Sequence, residues 1–208
     1  MKAHTKETQL EMTPDKALAA LKEGNARFQN NQKVTRDLME QVKDTSGGQY
    51  PFATILSCID SRVSAELIFD QGIGDIFSVR IAGNFTNPDI LGSMEFACKI
   101  AGTKLIVVLG HTACGAVKGA CDSARLGNLS GLIEKIELAV EAVKEPADPA
   151  LRNSSNSQFV DEVAQKNVQM TIENIRLDSP VLAEMEAEGA IQIVGAMYDI
   201  KTGAVHFL

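Results

Sequence analysis

The segment KLIVVLGHTACGA, residues 104–116, decides the fold class of this 208-residue chain. Its first eight residues are mostly apolar and end at His111, which predicts a buried strand. The tetrapeptide HTAC places Cys114 three positions after His111, with a glycine on either side. In open α/β sheets, ligands bind outside the carboxyl ends of the strands. The segment therefore predicts one strand of such a sheet, with candidate ligand-binding residues at its end.

Two further apolar segments predict neighbouring strands. FATILSC (52–58) follows a glycine-rich break, and DIFSVRIAG covers residues 75–83. AIQIVGAMYD (190–199) and AVHFL (204–208) predict an antiparallel pair at the C-terminus. Because near-continuous apolar strands alternate with helices, we predict an α/β fold with a mostly parallel central sheet and helices on both faces.

Helix signals surround these strands. Thr13 is a candidate N-cap with Pro14 at the first helical position, and the helical arm that begins there extends to about residue 45. Helical spacing of apolar residues predicts three more helices, over 87–102, 129–146 and 159–180. The length and the 45% hydrophobic content fit one compact domain over residues 1–208.

Charge and the N-terminal sequence restrict the class of protein. The net charge of −7 argues against a nucleic-acid partner and against binding to an anionic membrane surface. Residues 1–16 lack the apolar core of a signal peptide, and no apolar run has the length of a spanning helix. We therefore expect a cytoplasmic protein whose four cysteines are reduced, buried or metal-bound.

Cys58 ends the first strand and is the candidate third metal ligand. If that strand lies beside the strand ending at His111, then Cys58, His111 and Cys114 meet at one edge. Two thiolates and one imidazole leave one tetrahedral position open, which is typical of catalytic zinc. Alternatively, the thiols are core residues and His111 a helix cap, or Cys114 and His111 form a nucleophile and its base. Cys98 is expected in the core, whereas Cys121 could be exposed.

Asp60 and Arg62 follow Cys58 in the same loop. A carboxylate beside a guanidinium forms a bidentate pair, which would hold Asp60 ionised and aimed. Asp60 could then orient a zinc-bound hydroxide, or it could itself fill the fourth zinc position in a closed state. The alternative is a salt bridge that only fixes the loop.

The sequence CIDSR at 58–62 and HTAC at 111–114 resemble the paired motifs of the β-class carbonic anhydrases. EGNARF, FSVRIAGN, SMEFA and VGAMYDIKTGAV are similar to further segments of that family, so the resemblance covers nearly the whole chain. It implies a carbonate dehydratase, a lyase that interconverts carbon dioxide and water with bicarbonate and a proton. One Zn²⁺ per subunit would be bound by Cys58, His111 and Cys114, with Asp60 and Arg62 as the catalytic pair.

The resemblance also implies a substrate pocket and an oligomer. Gln49 corresponds to a glutamine that reaches the neighbouring subunit's active site, Phe77 to a pocket phenylalanine, and Gly115 to a glycine beside the last ligand. Carbon dioxide is apolar, and Ala82 is a further candidate for an apolar wall. The family's arm and shared sheet edge imply a homodimer, which often pairs into a homotetramer.

Two positions depart from the family's usual pattern. Phe96 stands where a tyrosine is common, and Ile55 stands where some bacterial relatives have the tryptophan of a regulatory bicarbonate site. Arg80 matches the arginine of that site, or alternatively pairs with a carboxylate at a subunit contact. Together with Gln49, the missing tryptophan favours the form in which water, and not Asp60, occupies the fourth zinc position.

Three alternatives remain at this point. The same chemistry could hydrolyse a related heterocumulene such as carbon disulfide or carbonyl sulfide. A non-catalytic zinc-stabilised binding protein would need Asp60 as a fourth ligand. A cysteine nucleophile would need no metal. For the carbonic anhydrase, two thiolate ligands predict activity that rises with pH and an apparent pKa above about 7, because they reduce the acidifying effect of the zinc.

Overall fold

The computed structural model describes residues 2–208, so that Met1 of the predicted domain lies outside the described residues. Within that range five strands form one sheet in the order β2-β1-β3-β4-β5. The strands are β1 (Ala53–Ser57), β2 (Ile76–Arg80), β3 (Leu105–His111), β4 (Gln192–Tyr198) and β5 (Val205–Phe207). All pairs are parallel except β4 with β5, which confirms the predicted sheet and its antiparallel end.

The helices precede, connect and cover the strands. In chain order they are α1 (Lys6–Leu10), α2 (Pro14–Gln29), α3 (Leu38–Thr45), α4 (Ala65–Ile68), α5 (Pro88–Glu95), α6 (Gly115–Cys121), α7 (Leu129–Ala142), α8 (Ser157–Asp178) and α9 (Pro180–Ala187). A π-helical turn, Phe96–Ile100, continues α5. Thr13 caps α2 as predicted, since its side chain accepts the amide N–H of Lys16. The periodicity did not predict α1, α4 and α9; α1 and α4 have five and four residues, too few to show a full amphipathic repeat.

The core lies on both faces of the sheet. One cluster of buried residues joins alternate positions of β1 and β3 to α6, α7 and α8, with Phe159 and Ile133 fully covered. The other cluster joins the opposite positions to α2 and α4, with Leu21 and Phe69 at its centre. Cys98 is buried as expected, but Cys121 is also buried and not exposed, because it lies on the inner side of α6.

The N-terminal arm is attached to the body by polar contacts. The Asn25 side chain donates to the carbonyls of Ile68 and Gly203 at 3.1 and 2.9 Å. Asp70 is 3% exposed and binds both Arg27 and Arg36 at 2.6 Å. Burial alone would raise the pKa of Asp70, but the hydrogen bonds from the two guanidinium groups lower it overall. Asp70 is therefore an internal anion that holds the arm.

The chain runs from β1 outward to β2 and then returns to β3 on the other side of β1, so that the strand order reverses between β1 and β3. Ligands of such sheets bind at this switch point, outside the carboxyl ends of the strands. The loops after β1, β2 and β3 meet there. No helix within residues 2–208 combines the length and the apolar character needed to span a membrane.

Candidate metal centre

The three predicted metal-ligating side chains come together at the switch point. Cys58 follows β1 directly, His111 is the last residue of β3, and Cys114 is the N-cap of α6. Their ligand atoms all lie within 4.8 Å of one another, and the sulfur atoms of Cys58 and Cys114 are 4.0 Å apart. The relative exposures are 4%, 0% and 1%. The predicted adjacency of β1 and β3 is therefore correct, and it creates a buried two-thiol, one-imidazole group.

The His111 ring is oriented by the main chain. Its Nδ1 lies 3.0 Å from the carbonyl oxygen of Thr112, which can only accept, so Nδ1 carries the proton. Its Nε2 is buried and finds no hydrogen-bond partner in the part of the chain that the structure describes. An unpartnered imidazole nitrogen beside two thiols is the donor set that zinc prefers. The residues present therefore fit a zinc ion.

The two thiols differ in acidity. The hydrogen bond from the Cys114 thiol is the largest influence on Cys58 and lowers the pKa of the Cys58 thiol well below its ordinary value, against the opposing effect of burial. A hydrogen bond from the amide of Gly83, whose nitrogen is 3.4 Å from the sulfur, acts in the same direction. The pKa of Cys114 is raised, because it donates to Cys58 and is itself buried. The pair thus shares one proton, which a divalent metal would displace.

Asp60 and Arg62 form the predicted bidentate pair. Arg62 Nε lies 2.9 Å from Asp60 Oδ1, and Arg62 Nη2 lies 2.6 Å from Oδ2. The amide N–H of Arg62 also donates to Oδ1 at 3.0 Å. These bonds to Arg62 hold the pKa of Asp60 far below its ordinary value. Asp60 is therefore a fixed anion, with Oδ2 3.9 Å from His111 Nε2.

Arg80 supports the loop that carries Cys58 and Asp60. Its Nε donates to the carbonyl of Cys58 at 3.0 Å, and its Nη2 donates to the carbonyl of Asp60 at 2.7 Å. Neither sequence interpretation of Arg80 includes this contact within the chain. The sequence gives no signal for it, because the acceptors are main-chain carbonyls.

The predicted pocket residues separate into two groups. Ala82 and Gly115 line a cavity of about 330 Å³ next to Cys58 and Asp60, and its remaining walls are mostly apolar. Phe77 instead lines a groove of about 810 Å³ along the free edge of β2, with Phe96 and Arg80. The Phe77 and Phe96 ring centroids are 6.4 Å apart.

Gln49 is exposed in the loop before β1 and lines neither cavity. The remaining cysteines also lie apart from the metal-ligating group, and burial raises the pKa of Cys98 and of Cys121 to about 11. The chain by itself thus brings together the candidate ligands, the Asp60–Arg62 pair, Ala82 and Gly115. It does not bring Gln49 and Phe77 to them.

Comparison with known proteins agrees with the family resemblance of the two sequence motifs. A family model described as carbonic anhydrase matches residues 53–205. Carbonic anhydrase 2 of Mycobacterium tuberculosis is 38% identical over 196 residues, which cover 91% of this chain and 90% of that protein.

Two solved structures extend the comparison to the fold. The β-carbonic anhydrase CafA of Aspergillus fumigatus has a TM-score of 0.73 at 27% identity, covering 93% of this chain and 89% of that one. A tetrameric β-carbonic anhydrase of Sordaria macrospora has a TM-score of 0.67 at 26% identity, covering 78% and 83%.

Proposed function

The chain belongs to the β-carbonic anhydrase family, and on this basis we propose which residues carry out each part of the reaction. The protein is a carbonate dehydratase, a zinc-dependent lyase that hydrates carbon dioxide reversibly to bicarbonate and a proton. The observation that carries this conclusion is the buried group of Cys58, His111 and Cys114 at the switch point.

Cys58, His111 and Cys114 would hold the zinc ion through two sulfur atoms and one imidazole nitrogen. Zinc in such a site supplies Lewis acidity and lowers the pKa of water from about 15.7 towards 7, which makes a nucleophile available at neutral pH. Because these three residues would supply fewer donors than a closed structural zinc site needs, the ion would remain accessible to solvent, as catalysis requires. His111 Nδ1 would keep its proton and donate it to the carbonyl oxygen of Thr112, so that the unprotonated Nε2 is the nitrogen that binds the metal.

Asp60 and Arg62 would orient the nucleophile. Arg62 occupies both carboxylate oxygens of Asp60 and keeps this side chain ionised, so that Asp60 can accept a hydrogen bond from the attacking water. The same two bonds would have to break before Asp60 could serve as a fourth ligand in a closed state. This supports the open form of the site.

Ala82 and Gly115 would form part of the binding site for carbon dioxide and bicarbonate. The cavity that they line beside Asp60 has mostly apolar walls, which suits an uncharged, linear substrate. The amide near Gly115 lies at the start of α6, where main-chain N–H groups favour the charge that develops on the product oxygens.

Gln49 and Phe77 would complete the pocket across a homodimer interface, with a dimer of dimers as the larger assembly. Strand β2 lies at the free edge of the sheet, and Phe96 next to it is 51% exposed. A second copy of the chain would cover this edge and bring Gln49 close to the metal centre. The tetrameric relative from Sordaria macrospora supports such an assembly.

We further propose that residues 1–208 act as one domain in the cytoplasm. The family match covers 53–205, and the arm before it is tied to the body through Asn25 and Asp70. All cysteines of the described chain are unpaired, and two sulfur atoms only 4.0 Å apart remain available to a metal in a reducing compartment.

Stopped-flow hydration of carbon dioxide by the zinc-loaded protein tests the function. Rapid hydration is expected, with activity that rises with pH and an apparent pKa above about 7. Carbon disulfide and carbonyl sulfide are assayed in parallel, and no hydrolysis comparable to hydration is expected. A zinc-loaded protein that hydrolyses either sulfur compound but does not hydrate carbon dioxide would contradict the proposal.

A further inference from the structure

The turn between His111 and Cys114 contains a strained residue. Thr112 and Ala113 alone connect the end of β3 to the N-cap of α6. Ala113 has a φ of +53°, the left-handed region that an alanine rarely adopts because its Cβ crowds the backbone. Such a conformation persists only where its surroundings fix it, and it is found most often at functional sites.

Helix α8 supplies the contact that fixes this turn. Asp161, in the second turn of α8, accepts the amide N–H of Ala113 on Oδ1 at 2.8 Å. The neighbouring Val160 and Val163 are fully buried in the core, so the carboxylate is carried by a firmly packed helix. Without this acceptor the half-buried N–H of Ala113 would lose its partner, and the left-handed turn would lose its main support.

Thr112, the first residue of the turn, is also fixed by hydrogen bonds. The amide of Thr112 donates to the carbonyl of Tyr198 at 3.0 Å, and its hydroxyl accepts the amide of Ile200 at 3.1 Å. These contacts fix the end that bears His111. The Asp161 contact is the one that acts next to Cys114, and it therefore sets where the Cys114 sulfur lies relative to Cys58.

We propose that Asp161 is a positioning residue for the metal centre, which holds Ala113 in the left-handed conformation and so keeps Cys114 in place to bind zinc with His111 and Cys58. Within residues 2–208, the hydrogen bond to Asp161 comes from the main chain of Ala113 and not from a metal-ligating side chain. This inference rests on the proposed zinc ligands. Groups that orient metal ligands typically change metal affinity by about 10- to 100-fold when they are removed.

The test compares the zinc affinity of full-length variants by competition with a chromogenic chelator. Asp161→Ala is expected to weaken zinc binding about 10- to 100-fold. Asp161→Asn keeps an oxygen acceptor and is expected to bind zinc as the unaltered protein does. Glu162→Ala removes the same charge from the same turn of α8 and is the matched control, with no expected change.

A double variant separates this role from a general effect on stability. Glycine adopts a positive φ without a Cβ penalty, so Ala113→Gly in the Asp161→Ala background is expected to recover part of the lost affinity. The thiolate-to-metal absorption of the cobalt-substituted protein is expected to shift in Asp161→Ala and to return in the double variant. Should Asp161→Ala fail to fold, Asp161→Ser, which is too short to reach the amide, replaces it with the same expectation.

Three results would overturn the inference: unchanged zinc affinity in Asp161→Ala, equal losses in Asp161→Asn and Asp161→Ala, or no recovery with Ala113→Gly. If the unaltered protein takes up no zinc, the proposed ligands and this inference fail together. If the unaltered protein binds zinc and Asp161→Ala binds it equally well, only the inference fails.

Discussion

The metal centre and the free edge of the sheet differ in how complete they are within one chain. At the metal centre, Cys58, His111 and Cys114 are buried, and the chain itself supplies the contacts that orient them. At the free edge along β2, Phe96 is 51% exposed. Gln49 is exposed in the loop before β1 and lines neither of the two cavities. This difference fits our proposal that the folded chain alone presents the metal ligands, whereas a second copy of the chain completes the substrate pocket.

Cys58→Ser has the largest expected effect on the metal centre. A serine hydroxyl is a poor zinc ligand, so both zinc binding and carbon dioxide hydration are expected to be lost. The measurements are zinc content by elemental analysis and stopped-flow hydration. Cys121→Ser is the matched control, because Cys121 is buried but lies outside the ligand group, and it is expected to retain zinc. Full hydration activity in Cys58→Ser would contradict the assignment of Cys58 as a zinc ligand.

Asp60→Asn separates catalysis from metal binding at the same edge. Zinc content is expected to stay unchanged, while kcat falls about 100-fold, because the amide cannot accept a hydrogen bond with the strength of a carboxylate held by Arg62. Parallel zinc analysis and stopped-flow kinetics give both quantities. Full activity in this variant would mean that the Asp60–Arg62 pair only fixes its loop.

Asp70→Asn tests how the N-terminal arm is attached to the body. Loss of the charged hydrogen bonds to Arg27 and Arg36 is expected to lower the free energy of unfolding by about 2 kcal/mol at neutral pH. Denaturant unfolding measures the change. Asp44→Asn, at an exposed aspartate of α3, is the control and is expected to have little effect.

The effect of Asp70 has a defined pH dependence. The folded protein lowers the pKa of Asp70 below its value in the unfolded chain, which is about 3.9. Its contribution to stability is therefore complete above that unfolded value and is lost as the pH falls through the lower, folded pKa. The difference between the unaltered protein and Asp70→Asn should shrink in acid, and a constant difference would contradict this account.

Gln49→Ala has the smallest expected effect and addresses the free edge. Loss of one pocket hydrogen bond is expected to lower kcat/KM about tenfold, or about 1.4 kcal/mol, with zinc content unchanged. Mixing this variant with Cys58→Ser should restore activity, because a mixed dimer pairs an intact metal centre with an intact Gln49 from the other subunit. No gain on mixing would show that each chain uses its own Gln49 or none.

The sequence predicted that the side chains of Cys58, His111 and Cys114 lie together, as they do, because strand ends can be recognised from apolar runs. Cys58 and His111 each end such a run, and the rules for parallel sheets bring neighbouring strand ends together. The supports of the group could not be predicted in this way. Arg80 and Asp161 bind main-chain groups. Every residue has such groups, so the sequence pattern does not indicate which carbonyl or amide is the partner.

The resemblance to the family, and not the residue pattern, pointed to Gln49 and Phe77. In our proposal their place in a pocket depends on how two chains meet, which cannot be read from the fold of one chain. Short helices such as α1 and α4 escaped prediction for a different reason, since four or five residues do not complete an amphipathic repeat.

X-ray absorption at the zinc edge of the loaded protein tests the central claim most directly. The account predicts two sulfur neighbours at about 2.3 Å and one imidazole nitrogen at about 2.0–2.1 Å, with one further light-atom neighbour. A spectrum with one, three or four sulfur neighbours, or without a histidine signature, would contradict a site built from Cys58, His111 and Cys114.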